Sequence, residues 1–146
     1  MEISSSVFEN NAAIPQRYGC AGEGVNPPLA FGGVPKEAQT LALVVDDPDA
    51  PGGTFDHWVL WNLTPTTTEL PENWAPEAAV SVGANGAGKD SWYPPCPPSG
   101  THHYHFKLYA LDAKLELAAR SDKAALEKAM DGHLVAQAEL VGTYSK

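Results

Sequence analysis

Alternation of apolar and polar residues predicts that this chain is built mostly from strands. Residues 40–45 form an apolar run that ends at a cluster of acidic residues, which is typical of a buried strand. Residues 55–63, 103–112 and 134–144 alternate with a period of two, which predicts three more strands. Because strands come first and a helix is predicted only late in the chain, the pattern favours a β-sandwich decorated by helix.

The strand at residues 55–63 carries a histidine inside its apolar pattern. Phe55, His57 and Val59 are predicted on one face of the strand, with Trp58 and Leu60 on the other. An imidazole on an apolar face is either hydrogen-bonded within the core or exposed to a cavity. The sequence alone leaves both alternatives open.

One helix is predicted near the end of the chain. Ser121 is expected to cap it, Asp122 to lie in its first turn, and Gly132 to follow its last residue. Leu126 and Met130 are four residues apart and therefore share its buried face.

Loops rich in proline and glycine separate these elements, at residues 17–35, 48–54 and 83–100. Long ordered loops in a small domain often carry function. The third loop contains three glycines and a lysine, but its spacing differs from GxxxxGK[ST]. A nucleotide-binding P-loop is therefore excluded.

Composition narrows the function classes. A chain of 146 residues is predicted to form a single domain over residues 1–146, with a core that needs no metal or disulfide. Nine basic and 18 acidic residues leave a net charge of −9, which argues against nucleic-acid binding and against docking on anionic lipid. The chain has no run of 18 apolar residues, and its first residues are not expected to act as a signal peptide. A cytoplasmic location is expected.

The two cysteines, Cys20 and Cys96, are too few for a disulfide scaffold and lack zinc-binding spacing. In the cytoplasm both are expected to be reduced thiols. A bridge across so long a loop would be strongly stabilising, but the sequence does not show whether the two cysteines are close.

Three segments concentrate polar chemistry: an acidic turn at residues 46–51, His57, and a proline-rich run that leads to His102. His103 and His105 share a strand face, and with His57 or His102 they are conceivable metal ligands. Solvent-facing histidines are commoner than such ligands, so no metal is expected.

A hydrolase triad is the other chemical alternative. Ser99 or Cys96 would be its nucleophile, beside an Asp–His pair. The chain has no GxSxG elbow, and Cys96 lies between prolines, away from any helix N-terminus that would activate its thiol. No catalytic residue and no cofactor are therefore expected.

Taken in order, these segments resemble the phosphatidylethanolamine-binding protein family, in its prokaryotic Raf-kinase-inhibitor-like branch. The resemblance rests on Asp-Pro-Asp-Ala-Pro at residues 47–51, His-Trp-Val at 57–59, Pro-Cys-Pro-Pro at 95–98, and His-x-Tyr-x-Phe at 102–106. Further matches on both sides of these motifs extend it over nearly the whole chain.

The resemblance implies an antiparallel β-sandwich with Greek-key-like connections and one or two short helices. It also implies a pocket at one end of the sandwich for a small anion, a phosphate head group or a phosphorylated small molecule. The residues that it assigns to this pocket are Asp47, His57, Pro95, Cys96, Pro97, His102 and Tyr104. The family further implies a cis bond between Ala50 and Pro51.

Two positions depart from the family pattern. Pro94 stands where glycine usually precedes the Pro-Cys-Pro-Pro run, so its amide cannot contact an anion. His103 stands where arginine is common, and Asp49 or Asp47 is its expected partner. A permanent cation is thereby replaced by a titrating one.

The sequence therefore predicts non-enzymatic binding of an anion, strengthened at lower pH as the pocket histidines gain a proton. Burial is expected to dominate the titration of His57. Two alternatives remain: a module that inhibits a kinase or protease through surface contact with an unknown protein partner, and a weak hydrolase that uses Asp47 and a histidine. A homodimer is also expected, with Trp74 and Trp92 as possible anchors.

Overall fold

The computed structural model describes residues 1–146 and contains two β-sheets packed face to face. A single helix and a 3₁₀ turn at Gln16–Tyr18 accompany nine strands. In chain order these elements are β1 (Glu2–Ser4), β2 (Ala12–Ala13), β3 (Leu29–Gly32), β4 (Thr40–Asp47), β5 (Phe55–Leu63), β6 (Glu69–Leu70), β7 (Ser81–Val82), β8 (Thr101–Leu111), α1 (Lys123–Met130) and β9 (Leu134–Ser145). The predicted mainly β sandwich is confirmed.

The larger sheet has six strands in the order β2-β9-β8-β4-β5-β7, and the smaller one has the order β1-β3-β6. Every pairing is antiparallel except that of β2 with β9. The main core lies between the sheets, and a second apolar cluster lies on the outer face of the large sheet beneath α1. The central strands β4, β5 and β8 thus have buried residues on both faces.

The four predicted strands are confirmed, with small shifts at their ends. β4 continues past the apolar run to include Asp46 and Asp47, which places two adjacent carboxylates on opposite faces of the sheet. β3 lies inside a segment predicted to be loop, and that prediction was wrong. Leu29 and Phe31 are buried there, but four residues are too short a run to show a period.

Two irregularities interrupt the pairing of β4 with β5. Trp58 pairs with Val45, whereas Asp56 pairs with Asp46, so His57 is an extra residue on β5. This arrangement is a β-bulge, which reverses the alternation of side chains beyond it.

The bulge overturns the predicted sharing of faces along β5. Phe55 and His57 face the end of the sandwich, whereas Val59 belongs to the apolar cluster beneath α1. The second irregularity lies near Asn62, whose φ is +59°. Its side chain exchanges two hydrogen bonds of 2.9 Å with the backbone of Leu115 and so anchors the chain before α1.

The helix begins one residue later than predicted. Asp122 is the N-cap, and its carboxylate accepts a hydrogen bond of 2.9 Å from the amide of Ala125. The Ser121 hydroxyl donates instead to the Ala118 carbonyl. Leu126 and Met130 are buried, as predicted. This helix is not of the length and apolarity that crossing a membrane requires.

Candidate functional site

A cavity of about 250 Å³ opens at one end of the sandwich, where the end of β4 meets the starts of β5 and β8. The side chains around it are those of Asp47, Ala50, Pro51, Phe55, His57, Tyr93, Cys96, Pro97, Pro98, His102 and Tyr104. Residues far apart in the chain thus converge, and the list includes every predicted site residue except Pro95.

Asp47 and His102 form a buried pair in this cavity. His102 Nδ1 donates to Asp47 Oδ2 over 2.7 Å, and the amide of Asp49 donates to Asp47 Oδ1 over 2.8 Å. Both carboxylate oxygens are therefore occupied by protein donors. Because His102 Nδ1 must carry a proton in this contact, the unpaired Nε2 is the atom left for a ligand.

His57 is held by the loop that precedes β8. Its Nδ1 donates to the Tyr93 carbonyl over 2.7 Å, and the Tyr93 amide donates back to the His57 carbonyl over 2.9 Å. Burial lowers the pKa of His57, although the Tyr93 carbonyl offsets part of this effect. The ring is therefore neutral at neutral pH, with its proton on Nδ1 and a lone pair on Nε2.

Tyr104 supplies a donor without a partner. The residue is fully buried, and no protein group accepts from its hydroxyl. Its ring meets the His57 ring edge-on, with 5.1 Å between centroids. Burial, reinforced by the charge of Asp47, raises the pKa of Tyr104, so its hydroxyl stays protonated. A buried donor beside a cavity is a group that a ligand would satisfy.

An aromatic wall completes the cavity. The Phe55 ring lies 4.9 Å from the His57 ring and 5.2 Å from the Tyr93 ring. Gly86 packs directly on Phe55, because a Cβ at this position would lie 2.6 Å from the ring. Sequence analysis did not assign Phe55 or Tyr93 to the site. The two-residue spacing of Phe55 and His57 on one strand could have indicated that Phe55 belongs to the site. No pattern in the sequence indicates that Tyr93 contacts His57.

Cys20 and Cys96 form a disulfide at the rim of the cavity, with 5.3 Å between their Cα atoms. The prediction of two reduced thiols was therefore wrong. The Cys20 amide donates to the Pro95 carbonyl over 3.0 Å, so Pro95 joins two loops instead of lining the cavity. Disulfides are rare in a reducing cytoplasm, so this bond counts against the expected cytoplasmic location, which stays a prediction.

The turn after β4 differs from its expected geometry. All peptide bonds are trans, so the predicted cis bond before Pro51 was wrong. Gly52 and Gly53 have φ values of +86° and +118°, a left-handed conformation that favours glycine in the turn between β4 and β5. Ala50 and Pro51 still reach the cavity wall.

His103 and His105 lie outside the cavity. His103 binds Asp49 through its amide and its Nδ1, at 2.8 and 2.7 Å, which confirms one of its two predicted partners. These hydrogen bonds lower the pKa of Asp49. His105 pairs with Glu139. No group of three histidine, cysteine or acidic side chains is arranged to hold a metal ion.

Comparison with known proteins gives concordant matches. The family model described as phosphatidylethanolamine-binding protein matches residues 4–145. A UPF0098 protein of Pyrococcus horikoshii is 46% identical over 150 residues, which cover 97% of this chain and 75% of the relative.

Two solved structures have the same fold. A phosphatidylethanolamine-binding protein homolog of Chlamydia trachomatis is 42% identical, with a TM-score of 0.94 over 99% of this chain and 97% of its own. YbcL of Escherichia coli, a member of the mammalian PEBP family, is 28% identical, with a TM-score of 0.91 over 99% and 98% of the two chains.

Proposed function

The chain belongs to the phosphatidylethanolamine-binding protein family, and we propose that its cavity binds a small anion or phosphate head group without catalysing a reaction. The observation that carries this proposal is the Tyr104 hydroxyl, a buried donor without a partner at the cavity. A phosphate oxygen would satisfy it.

The buried acid in the cavity is compatible with an anionic ligand. Both oxygens of Asp47 already accept hydrogen bonds from the protein, so its charge is partly compensated. When His102 is protonated, the pair becomes neutral and Nε2–H becomes a donor. Asp47 thus orients the ring that contacts the ligand.

Calorimetric titration with inorganic phosphate tests the proposal directly. Tyr104→Phe and His102→Ala should each weaken binding by about tenfold, since each removes a hydrogen bond to a charged ligand. His133→Ala is the matched control, because His133 pairs with Asp112 away from the cavity. Absence of phosphate binding, or equal affinity in all three variants, would contradict the proposal.

A sulfate titration across pH provides a second test. Sulfate affinity should rise by about tenfold between about pH 8 and about pH 6 if one proton is linked to binding. The rise should disappear in His102→Ala. If the sulfate affinity of the wild type does not change with pH, the cavity histidines have only a structural role in the cavity wall.

A weak hydrolase is the second candidate, and the Asp47–His102 pair favours it. A histidine oriented through Nδ1 with an open Nε2 can act as a general base toward water. The disulfide argues against a thiol nucleophile, because Cys96 has no free thiol. Turnover of an ester substrate that Asp47→Ala abolishes would support the hydrolase and contradict simple binding.

Contact with another protein has less structural support. Trp74 and Trp92, the expected anchors, pack against the core, with ring centroids 6.1 Å and 5.4 Å from that of Trp58. The homodimer stays a prediction, and a monomeric mass in light scattering would oppose it. An inhibitor module would be supported if a protein partner is captured in stoichiometric amount and mutations in the cavity leave that capture unchanged.

A further inference from the structure

The hydrogen bonds inside the cavity determine what kind of anion suits it. Tyr93 offers a carbonyl oxygen to His57, and a carbonyl can only accept. The proton of the neutral ring therefore lies on Nδ1, and Nε2 is an acceptor. No protein donor reaches this Nε2, so the donor must come from water or from a ligand.

A fully deprotonated oxyanion suits this acceptor poorly. Its oxygens carry only lone pairs, so the contact with Nε2 would be repulsive or the nitrogen would stay unpaired. A binding site built around a hydrogen bond discriminates strongly against an analogue that lacks the partner group. The cavity lining contains neither arginine nor lysine, so no permanent cation would offset the loss.

We propose that the cavity selects oxyanions that retain a hydroxyl proton, of the hydrogen phosphate class, because His57 Nε2 accepts that proton. Sulfate, which has the same shape and at mildly alkaline pH the same charge, is discriminated against. This inference rests on the proposed function and narrows it, since a diester head group has no hydroxyl proton and would be discriminated against for the same reason as sulfate.

The donor and the acceptor lie side by side. The Tyr104 hydroxyl donates to a deprotonated oxygen of the anion, while His57 Nε2 accepts from its hydroxyl. Their rings are in contact, with 5.1 Å between centroids, and both residues line the cavity, so in this proposal one tetrahedral ion contacts both. Hydrogen phosphate carries both kinds of oxygen, whereas sulfate carries only one.

Several neighbouring groups affect the charge state of His57, but they do not turn its Nε2 from an acceptor into a donor. The carboxylates of Asp46, Asp47 and Asp56 favour the protonated ring, and burial outweighs them. His102, Tyr93 and Tyr104 are the other titratable groups around the cavity. Above neutral pH the ring therefore remains an acceptor.

Calorimetry of the wild-type protein at about pH 8 compares the two anions where hydrogen phosphate and sulfate are both mainly dianions. His102 Nε2 is open to both anions as well, so the wild-type ratio reports on the whole cavity, and His57→Asn isolates the part that is due to His57. Phosphate should bind at least about tenfold tighter than sulfate. Equal affinities would overturn the inference and leave the proposed function standing. If neither anion binds, both fail.

His57→Asn tests the residue itself. The shorter amide can still donate to the Tyr93 carbonyl, but it removes the acceptor at the position of Nε2. The phosphate-to-sulfate ratio should fall severalfold, and any discrimination that remains belongs to His102. Tyr104→Phe is the matched control, since it removes a donor common to both ions and should weaken both by a similar factor. A phosphate-to-sulfate ratio that is unchanged in His57→Asn, or that is lost in Tyr104→Phe, would contradict the assignment. Thermal unfolding verifies that each variant is folded.

Discussion

Asp46 and Asp47 are adjacent on β4, are almost equally buried, and serve different purposes. Asp46 faces α1, where its Oδ2 lies 3.0 Å from Lys107 Nζ and 3.2 Å from Lys123 Nζ. Asp47 faces the cavity, where its charged partner is an imidazole. The two sides of one strand thus contain two kinds of ion pair.

The α1 side is held by lysine–aspartate ion pairs. Lys123 also reaches Asp56, with 2.9 Å between Nζ and Oδ1. Burial alone would lower the pKa of Lys123, but the hydrogen bond to Asp56 and the charge of Asp46 outweigh it and raise that pKa. These side chains therefore have one another as charged partners.

The cavity side differs because its partners can change protonation and keep open positions. His57 and His102 each use Nδ1 for the protein, which leaves Nε2 unpaired. The Tyr104 hydroxyl is unpaired as well. Lysine–aspartate ion pairs link α1 to the sheet, whereas the unpaired groups on the cavity side are available to a ligand.

The largest effect is expected from removing the disulfide between Cys20 and Cys96 on the cavity side. The disulfide joins residues 76 positions apart. The double variant Cys20→Ser, Cys96→Ser should lose roughly 2–4 kcal/mol of unfolding free energy, because the unfolded chain regains the freedom of a long loop. Phosphate affinity should fall too, since the loop with Cys96 and Pro97 forms the cavity wall.

Urea unfolding with and without a reductant measures this effect. Reductant should destabilise the wild type and leave the double variant unchanged. If the double variant matches the oxidised wild type in stability, the disulfide does not hold the rim.

The α1 side is tested by Asp46→Ala. Removing a buried carboxylate leaves two lysines without their shared partner and should cost roughly 2–3 kcal/mol, at the low end for buried pairs because both lysines can reach water. Glu127→Ala is the control, since this exposed carboxylate on α1 has no ion pair. Anion affinity should be unchanged in both variants, and a loss in Asp46→Ala would mean that the two sides are coupled.

The periodicity of apolar residues determines how much of these two sides of the sheet could be predicted from sequence. The strands β4, β5, β8 and β9 are long enough to show their period, whereas the two-residue strands β2 and β7 exist only as pairings with distant segments. The convergence of Asp47, His57 and His102 was foreseen from an ordered motif, not from local pattern.

Other features had no local signal. The bulge at His57 depends on how β5 registers against β4, and the disulfide depends on the meeting of two loops. The Tyr93 carbonyl, which determines the tautomer of His57, belongs to a backbone whose position only the folded loop defines. These are contacts between distant residues, which one sequence does not record.

Asp47→Asn changes the cavity electrostatics with little change of shape. The amide of Asp49 keeps the asparagine oxygen at the Oδ1 position, so the new NH₂ group faces His102 Nδ1. The neutral ring must then carry its proton on Nε2 and becomes a donor to the anion. With the negative charge also removed, phosphate affinity at about pH 8 should rise by about tenfold, and its pH dependence should flatten.

Calorimetry from about pH 8 to about pH 6 measures this change. Asp46→Asn is the matched control, since it removes the same charge one residue away on the α1 side. A lower affinity in Asp47→Asn would show that the carboxylate supports binding through its charge instead of through the orientation of His102.

The smallest predicted effect is a pH-dependent loss of stability from His57. Burial holds the pKa of His57 in the folded protein below the value of about 6.5 expected in the unfolded chain. The unfolded state therefore binds more protons, and this residue's contribution to stability falls as the pH drops below about 6.5, by at most about 1.4 kcal/mol per pH unit.

The lowered pKa of Asp49 acts in a separate window, because its contribution is lost only as the pH falls below about 4. Urea unfolding of the wild type and of His57→Asn between about pH 7 and about pH 5 isolates the histidine, since all other titrating groups are common to both. The wild type should lose more stability over this range than the variant does. Parallel curves would mean that His57 titrates alike in the folded and unfolded chains, and would contradict burial as the cause of a lowered pKa in the folded protein.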